Sequence, residues 1–180
     1  MTDNKQRTTE ATAHHEAGHA VAAWRMYLPF KYVTIKPDAD DGSLGHVLHD
    51  VHPKWFRPDD DLSDRVRLRL ERHIITSFAG QIAETKFRGR RPRFGMHSDN
   101  QIAVDMAFRL GGSRETLEAY LKYCWCRSHD VVNGCWRQIE AMAAALLQKQ
   151  TLGYEDAIEV ISPGSMALRN SLKRAAKVRR

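Results

Sequence analysis

The pentapeptide His15-Glu16-Ala17-Gly18-His19 holds the residues of this chain with the clearest capacity for chemistry. In a helix, two histidines four positions apart lie on the same face, so both imidazoles can bind one metal ion. The glutamate between them lies one position around the helix, where it can take a proton from the attacking water without binding the metal. This is the H-E-x-x-H pattern of zinc hydrolases. It predicts His15 and His19 as zinc ligands and Glu16 as general base.

The sequence around the pattern favours a helix with one buried side. Two histidines and a glutamate on a solvated helix would give the same letters, so the flanking residues decide. Alanine is frequent here, and Ala17, Val21 and Leu28 form part of an apolar stripe at helical spacing. Pro29 is predicted to end the helix. Gly18 is unfavourable in mid-helix, which indicates that another element approaches closely between the histidines.

The elements that must position these residues are predicted to be mainly helical, with a small sheet. Two stretches rich in β-forming residues, 32–35 and 44–49, predict a strand pair joined by a turn at 38–42. A long helix over 60–82, capped by one of its first aspartates, has apolar residues every four positions. The predicted fold class is therefore mainly α with a small β-sheet (α+β).

Asp99 is a third candidate ligand. It lies at the start of a further predicted helix, over 98–110, on the side of its apolar residues. An inward carboxylate needs a partner, because burying an unpaired charge is very costly. The partner is either the helix's own N-terminal amides, an arginine, or a zinc ion that still lacks its usual third protein ligand. Additional helices are predicted between Ser113 and Ile161, and the last of them is predicted to start at Thr151.

Length and composition indicate one compact domain. The chain has 180 residues, of which 42% are hydrophobic. The N-terminal residues are polar and no apolar run is long enough to cross a bilayer, so neither a signal peptide nor a membrane span is predicted. Three cysteines without a secretory signal indicate a reducing, cytoplasmic setting. Cys124, Cys126 and Cys135 fit no common zinc spacing, and a core position is favoured for Cys124.

Five segments carry a resemblance to a known family. In chain order they are 12–21, 33–37 with 44–47, 79–84, 98–107 and 141–152. These resemble, respectively, the active-site helix, the strand pair, the G-x-x-A-E segment, the aspartate-bearing helix and the closing helices of the FtsH-type zinc peptidases. Those peptidases are the proteolytic domains of membrane-bound AAA proteases. The resemblance extends over residues 10 to 161, with the segments in the expected order.

The resemblance implies one zinc ion per chain, held by His15, His19 and Asp99, with Glu16 as general base. By analogy, Glu84 would orient one of the imidazoles. The alternative makes Glu84 an ordinary helix glutamate paired with Lys86 or an arginine. The family's fold would be a mainly helical zinc-peptidase domain with a small sheet beside the active site.

The resemblance also implies a substrate and partners. The strand containing Leu44, Gly45, His46 and Val47 would pair with an extended peptide. The expected activity is that of a metalloendopeptidase acting on unfolded or flexible proteins, since the sequence has no phosphate-binding loop of an ATPase. A separate ATPase and a hexamer are partners suggested by analogy alone. The alternative is a catalytically silent adaptor that binds a protein partner, although such a module has no need of Glu16.

The chain divides into a polar N-terminal segment (1–9), the predicted zinc metallopeptidase domain (10–162) and a basic C-terminal tail (163–180). The net charge is +6 at pH 7, and much of it lies in the tail. A basic tail can contact nucleic acid or a membrane surface electrostatically. This one has no interleaved aromatic residues, so a solvated tail is favoured and nucleic-acid binding is not expected.

Overall fold

The computed structural model describes residues 2–37, 44–90 and 97–164. Three parts of the sequence lie outside these residues: the predicted turn at 38–42, most of a basic stretch at 89–94 and nearly all of the basic tail. The described part is mainly helical with a small three-stranded antiparallel sheet. The predicted α+β class is confirmed.

The described part contains six helices and three strands. The helices are α1 Thr2–Arg25, α2 Asp64–Arg88, α3 His97–Phe108, α4 Arg114–Gly134, α5 Trp136–Lys149 and α6 Tyr154–Ile161. The strands are β1 Phe30–Thr34, β2 His46–His49 and β3 Thr151–Gly153. Helix α1 runs without a break across the proposed boundary at residue 9, and the division into three segments stays a prediction.

Several element boundaries differ from those predicted. β2 begins at His46, so Leu44 and Gly45 precede the strand, in keeping with the weak strand propensity of glycine. α2 begins after Ser63 rather than at the earlier aspartates. The stretch 151–153, predicted as the start of the last helix, forms β3 instead, because pairing with β1 supplies the backbone hydrogen bonds that so short a segment cannot make alone.

The two helices that meet at Gly18 form the centre of the domain. A Cβ atom at Gly18 would lie 2.7 Å from the carbonyl oxygen of Ala79 and 2.7 Å from the Cβ atom of Ala83. Only glycine allows α1 and α2 to approach this closely, which is the packing reason that the sequence suggested. The approach places one turn of α2 directly against the His15–His19 segment.

The sheet lies beside α1 in the order β2-β1-β3. Val33 of β1 pairs with Val47 on one side and with Leu152 on the other. Val33 and Leu152 are buried in the core that α1 also lines. β2 is paired on one side only, so it is an edge strand of the described sheet.

No helix among the described residues is both long enough and apolar enough to cross a membrane.

Candidate metal centre

Three donor atoms converge where α1, α2 and α3 meet. The Nε2 atoms of His15 and His19 lie 3.0 Å apart. The Oδ2 atom of Asp99 lies 3.0 Å from the first nitrogen and 3.2 Å from the second. Among the described residues, this is the one group of three or more such side chains with donor atoms within 4.8 Å of one another. The sequence spacing of α1 and the inward face of α3 therefore lead to the same point.

The other nitrogen of each imidazole is fixed by α2. The Nδ1–H of His15 donates to Oε2 of Glu84 at 3.1 Å, and that of His19 donates to the backbone carbonyl of Thr76 at 2.8 Å. These hydrogen bonds leave the Nε2 lone pairs directed at the point of convergence. Glu84 also accepts from the Nε–H of Arg88 at 2.7 Å. Both interpretations of Glu84 thus have a matching contact.

The surroundings of these donor atoms stabilise a positive charge at the point where they converge. Burial alone would lower the pKa of His15, yet hydrogen bonds to Asp99 and Glu84 and the charge of Glu16 raise that pKa to about 10. Burial alone would also lower the pKa of His19, but the charge of Asp99 raises it above its ordinary value. Against its own burial, the pKa of Asp99 is held well below the ordinary range by the two histidines.

The donor set therefore fits a metal ion. Two neutral imidazole nitrogens and one carboxylate oxygen are ligands that Zn²⁺ accepts, and three protein ligands are typical of a catalytic zinc site. A cation held between them would take the place of the proton that otherwise neutralises the cluster.

A glycine of α2 makes room for one of these rings. A Cβ atom at Gly80 would lie 2.2 Å from Nε2 of His19 and 2.6 Å from its Cδ2. No side chain can occupy that position while the ring stays where it is. The sequence contained the signal, because Gly80 is the glycine of the segment 79–84.

Glu16 lies beside the convergent atoms without joining them. Its side chain is buried, at 6% exposure. Burial raises the pKa of its carboxyl group against the opposing charges of His15 and His19. A Cβ atom at Gly45 would lie 2.9 Å from Cγ of Glu16 and 3.1 Å from its Oε1. The backbone just before β2 therefore rests on the carboxylate that the sequence predicts as general base.

The residues predicted to meet a substrate occupy two different settings. His46 and Val47 lie in β2, whereas Leu44 and Gly45 precede it, so the strand begins two residues later than predicted. That the four residues meet a substrate stays a prediction. A hydrogen bond of 3.0 Å joins Nε2 of His46 and the hydroxyl oxygen of Tyr32. Val47 packs partly against the core.

The structure also brings together histidines that the sequence did not predict as ligands or as one group. His49 at the end of β2, His52 in the following loop and His73 of α2 form a second histidine group, with ring centroids 5.9 Å apart for His49–His73 and 5.1 Å for His52–His73. A signal for His73 existed, because it lies on the same helical face as Gly80 and Glu84. Cys124 is buried, as predicted, and Cys135 is buried as well.

Sequence comparisons find similar proteins among zinc metalloproteases. No protein-family model matches the chain. It is 34% identical over 116 residues to the ATP-dependent zinc metalloprotease FtsH of Synechococcus sp. (strain JA-2-3B'a(2-13)), covering 60% of this chain and 17% of that protein. It is 32% identical over 111 residues to the ATP-dependent zinc metalloprotease YME1L1 of Rattus norvegicus, covering 60% and 14%. The FtsH of Buchnera aphidicola subsp. Baizongia pistaciae is 30% identical over 105 residues, covering 57% and 16%.

These similarities relate the chain to the peptidase domain of FtsH-type zinc metalloproteases. The chain spans less than a fifth of the length of the curated relatives that it matches. The relationship therefore concerns their peptidase regions and supports a protease-like function.

Proposed function

We propose that this protein is a zinc-dependent metalloendopeptidase that hydrolyses peptide bonds in unfolded or flexible proteins. The observation that carries the proposal is the convergence of His15, His19 and Asp99 beside the buried carboxylate of Glu16. The names of the relatives support the same reaction class. One zinc ion per chain would be held by the three convergent side chains.

The side chains divide the work as follows. Zinc, when bound, supplies a Lewis acid that acidifies water and polarises a carbonyl group. Glu16 accepts the proton of the attacking water and later delivers it to the leaving amine, a role suited to a buried carboxylate of raised pKa. Glu84 and the carbonyl of Thr76 keep a proton on Nδ1 of the two imidazoles and thereby hold each ring in place.

The free edge of β2 suggests the form of the substrate. An extended peptide can add to an edge strand through backbone hydrogen bonds, whereas a folded segment cannot. The backbone at Gly45 would then bring the peptide next to Glu16. A separate ATPase partner and a hexameric assembly stay predictions from the resemblance.

The test combines metal content with cleavage. Mass spectrometry of the purified protein is expected to find about one zinc per chain, and unfolded casein is expected to be cut. Asp99→Ala should lose both. The matched control is Asp105→Ala, which removes an exposed carboxylate of the same helix, bonded by Gln101, and should change neither.

Glu16→Gln separates the peptidase from the adaptor. It should retain zinc but lose cleavage by about 1,000-fold or more, because the amide cannot accept the proton. Glu10→Gln, on the same helix and one turn or more away, is its control. A wild-type protein without zinc and without cleavage would overturn the proposal in favour of the protein-binding adaptor.

A further inference from the structure

Three arginines form a row on α2 beyond the metal centre. Arg65, Arg69 and Arg72 occur at i, i+4 and i+7, so they lie on one face of the helix; we call them the arginine stripe. Each guanidinium carbon lies over an aromatic ring. The distances are 3.4 Å from Arg65 to the Trp55 ring centroid, 5.3 Å from Arg69 to that of Phe56 and 5.9 Å from Arg72 to that of Tyr27.

The stripe has no counter-charge among the described residues. The ion pairs found there do not include its members, and three nearby acidic residues are engaged elsewhere: Asp60 with Arg57, Asp59 with Arg109 and Glu71 with the Tyr120 hydroxyl. The Nε–H of Arg69 is buried and meets no acceptor in the part of the chain that is described.

Like charges one helical turn apart destabilise a helix, and a buried donor without an acceptor adds to the cost. Burial, and then the neighbouring charge of Arg72, lowers the pKa of Arg69. An anion along the stripe would relieve the repulsion between the arginines.

The aromatic rings leave the arginines ready for such an anion. Stacking on a ring uses the face of the guanidinium plane. The N–H groups at the edge of the plane stay available for the paired hydrogen bonds that arginine makes with carboxylates. The rings also reduce the freedom that each side chain would lose on binding.

The stripe continues from the metal centre along the same helix. His19 contacts α2 at Thr76 and Gly80. At ~1.5 Å per residue, Arg72 lies about 12 Å and Arg65 about 22 Å along the helix axis from Gly80. His73, which lies between Gly80 and Arg72 on the helix, packs against His49 at the end of β2. A peptide that pairs with the edge of β2 would therefore pass His49 and arrive at the stripe.

We propose that the arginine stripe binds an acidic segment of the polypeptide substrate, about four to seven residues from the bond that is cut at ~3.3 Å per extended residue. This inference rests on the proposed peptidase function, whose specificity it defines. A peptide fits better than a nucleic acid, because the stripe continues the line of a strand edge. A long polyanion would also meet Asp59, Asp60 and Asp61 next to the start of the helix.

The test measures binding without cleavage. The protein is the Glu16→Gln variant loaded with zinc, and the method is fluorescence anisotropy with labelled peptides of equal length. Each peptide has a common centre flanked on both sides by a block of four residues. The blocks are glutamates in the acidic peptide and glutamines in the neutral peptide. The acidic peptide should bind about tenfold more tightly or better at low salt, and added salt should remove the preference. Arg65→Gln/Arg69→Gln/Arg72→Gln should abolish the preference.

A matched triple variant controls for net charge. Arg67→Gln/Arg114→Gln/Arg127→Gln removes the same charge from another face of α2 and from α4, where the latter two arginines pair with Glu118 and Asp130. It should keep the preference, and Arg65→Gln alone, at an exposed position, should reduce it. Thermal melting checks that each variant is folded.

Each remaining result overturns the inference. Equal binding of the two peptides would do so, as would a preference that both triple variants retain. Tighter binding of single-stranded DNA than of the acidic peptide, lost in the stripe variant, would assign the stripe to nucleic acid instead. Cleavage of the neutral peptide by protein with Glu16 intact tests the peptidase separately. If that peptide is cut and no acidic preference exists, the inference alone fails.

Discussion

Two groups of histidines contact neighbouring stretches of α2, and they have opposite surroundings. The metal-site histidines, His15 and His19, face carboxylates and a backbone carbonyl. The second group, His49, His52 and His73, connects the end of β2 with α2, and we call it the cleft-wall group. Its rings face one another and the ring of Phe56. The second group has more imidazoles, yet only the first belongs to a set of convergent donors in the described structure.

The surroundings set opposite pKa shifts. The pKa of His15 rises to about 10 despite its burial, because Asp99 and Glu84 accept hydrogen bonds from it. Burial, followed by the charges of His49 and His52, lowers the pKa of His73 to about 3. The Nδ1 atom of His49 and the Nε2 atom of His73 are buried without a hydrogen-bond partner among the described residues.

The comparison teaches that histidine number does not make a metal centre. A ligand imidazole needs a hydrogen-bond partner on its second nitrogen, which directs the lone pair of the first nitrogen toward the metal ion. It also needs a negatively charged ligand nearby, which stabilises the positive charge of that ion. Burial, and in addition the charge of Arg69, lowers the pKa of His49, His52 and His73. A cation is therefore favoured at the first group and disfavoured at the second.

Gly80→Ala should have the largest effect on the metal-site group. The new methyl would lie 2.2 Å from Nε2 of His19, so the ring must leave its position and zinc affinity should fall by about 100-fold or more. Zinc titration with a chelator measures this. Gly134→Ala, where a Cβ atom meets nothing within 4 Å, should leave affinity unchanged. Unaltered affinity in Gly80→Ala would mean that His19 is not a ligand.

Glu84→Gln should have the next largest effect. The neutral amide is a weaker acceptor for the Nδ1–H of His15, so zinc affinity and cleavage should fall by about 10- to 100-fold. The exposed Glu118, which pairs with Arg114, provides the control in Glu118→Gln. Wild-type affinity in Glu84→Gln would reduce Glu84 to the partner of Arg88, the alternative that its sequence left open.

Most of the metal-site group could be predicted from the sequence, whereas little of the cleft-wall group could. His15 and His19 are positioned by helical spacing alone, and the close approach at Gly18 followed from an unfavourable residue in mid-helix. Asp99 was inferred from its inward face. These predictions needed only local periodicity, which a single sequence records directly.

The remaining features depend on contacts between distant segments. β3 exists because residues 151–153 pair with β1, more than a hundred positions earlier. The grouping of His52 with His73 depends on the path of a loop that no periodicity defines. The arginine stripe shows both limits, since its spacing is visible in the sequence but the rings of Trp55 and Tyr27 that flank it are not.

His73→Leu should reveal the cleft-wall group through acid stability. The folded pKa of about 3 lies below the unfolded value of 6.5, so as the pH falls below 6.5 the unfolded chain gains a proton that the folded chain does not, and stability is lost. At pH 5 this cost is about 2 kcal/mol at 1.36 kcal/mol per pKa unit. Urea unfolding at pH 8 and pH 5 should therefore show a smaller acid-induced loss in His73→Leu than in the wild type. An equal loss would place the acid sensitivity elsewhere.

His52→Ala should have the smallest effect and makes the sharpest distinction between the two groups. His52 is exposed, and its ring packs on Phe56 and His73 without joining the convergent donors. Its loss should leave about one zinc per chain and change cleavage by no more than about twofold, as surface substitutions usually do. Mass spectrometry at saturating zinc gives the stoichiometry. Two zinc ions in the wild type and one in His52→Ala would make the cleft-wall group a second metal centre, and carboxylate partners would then no longer explain why the two groups differ.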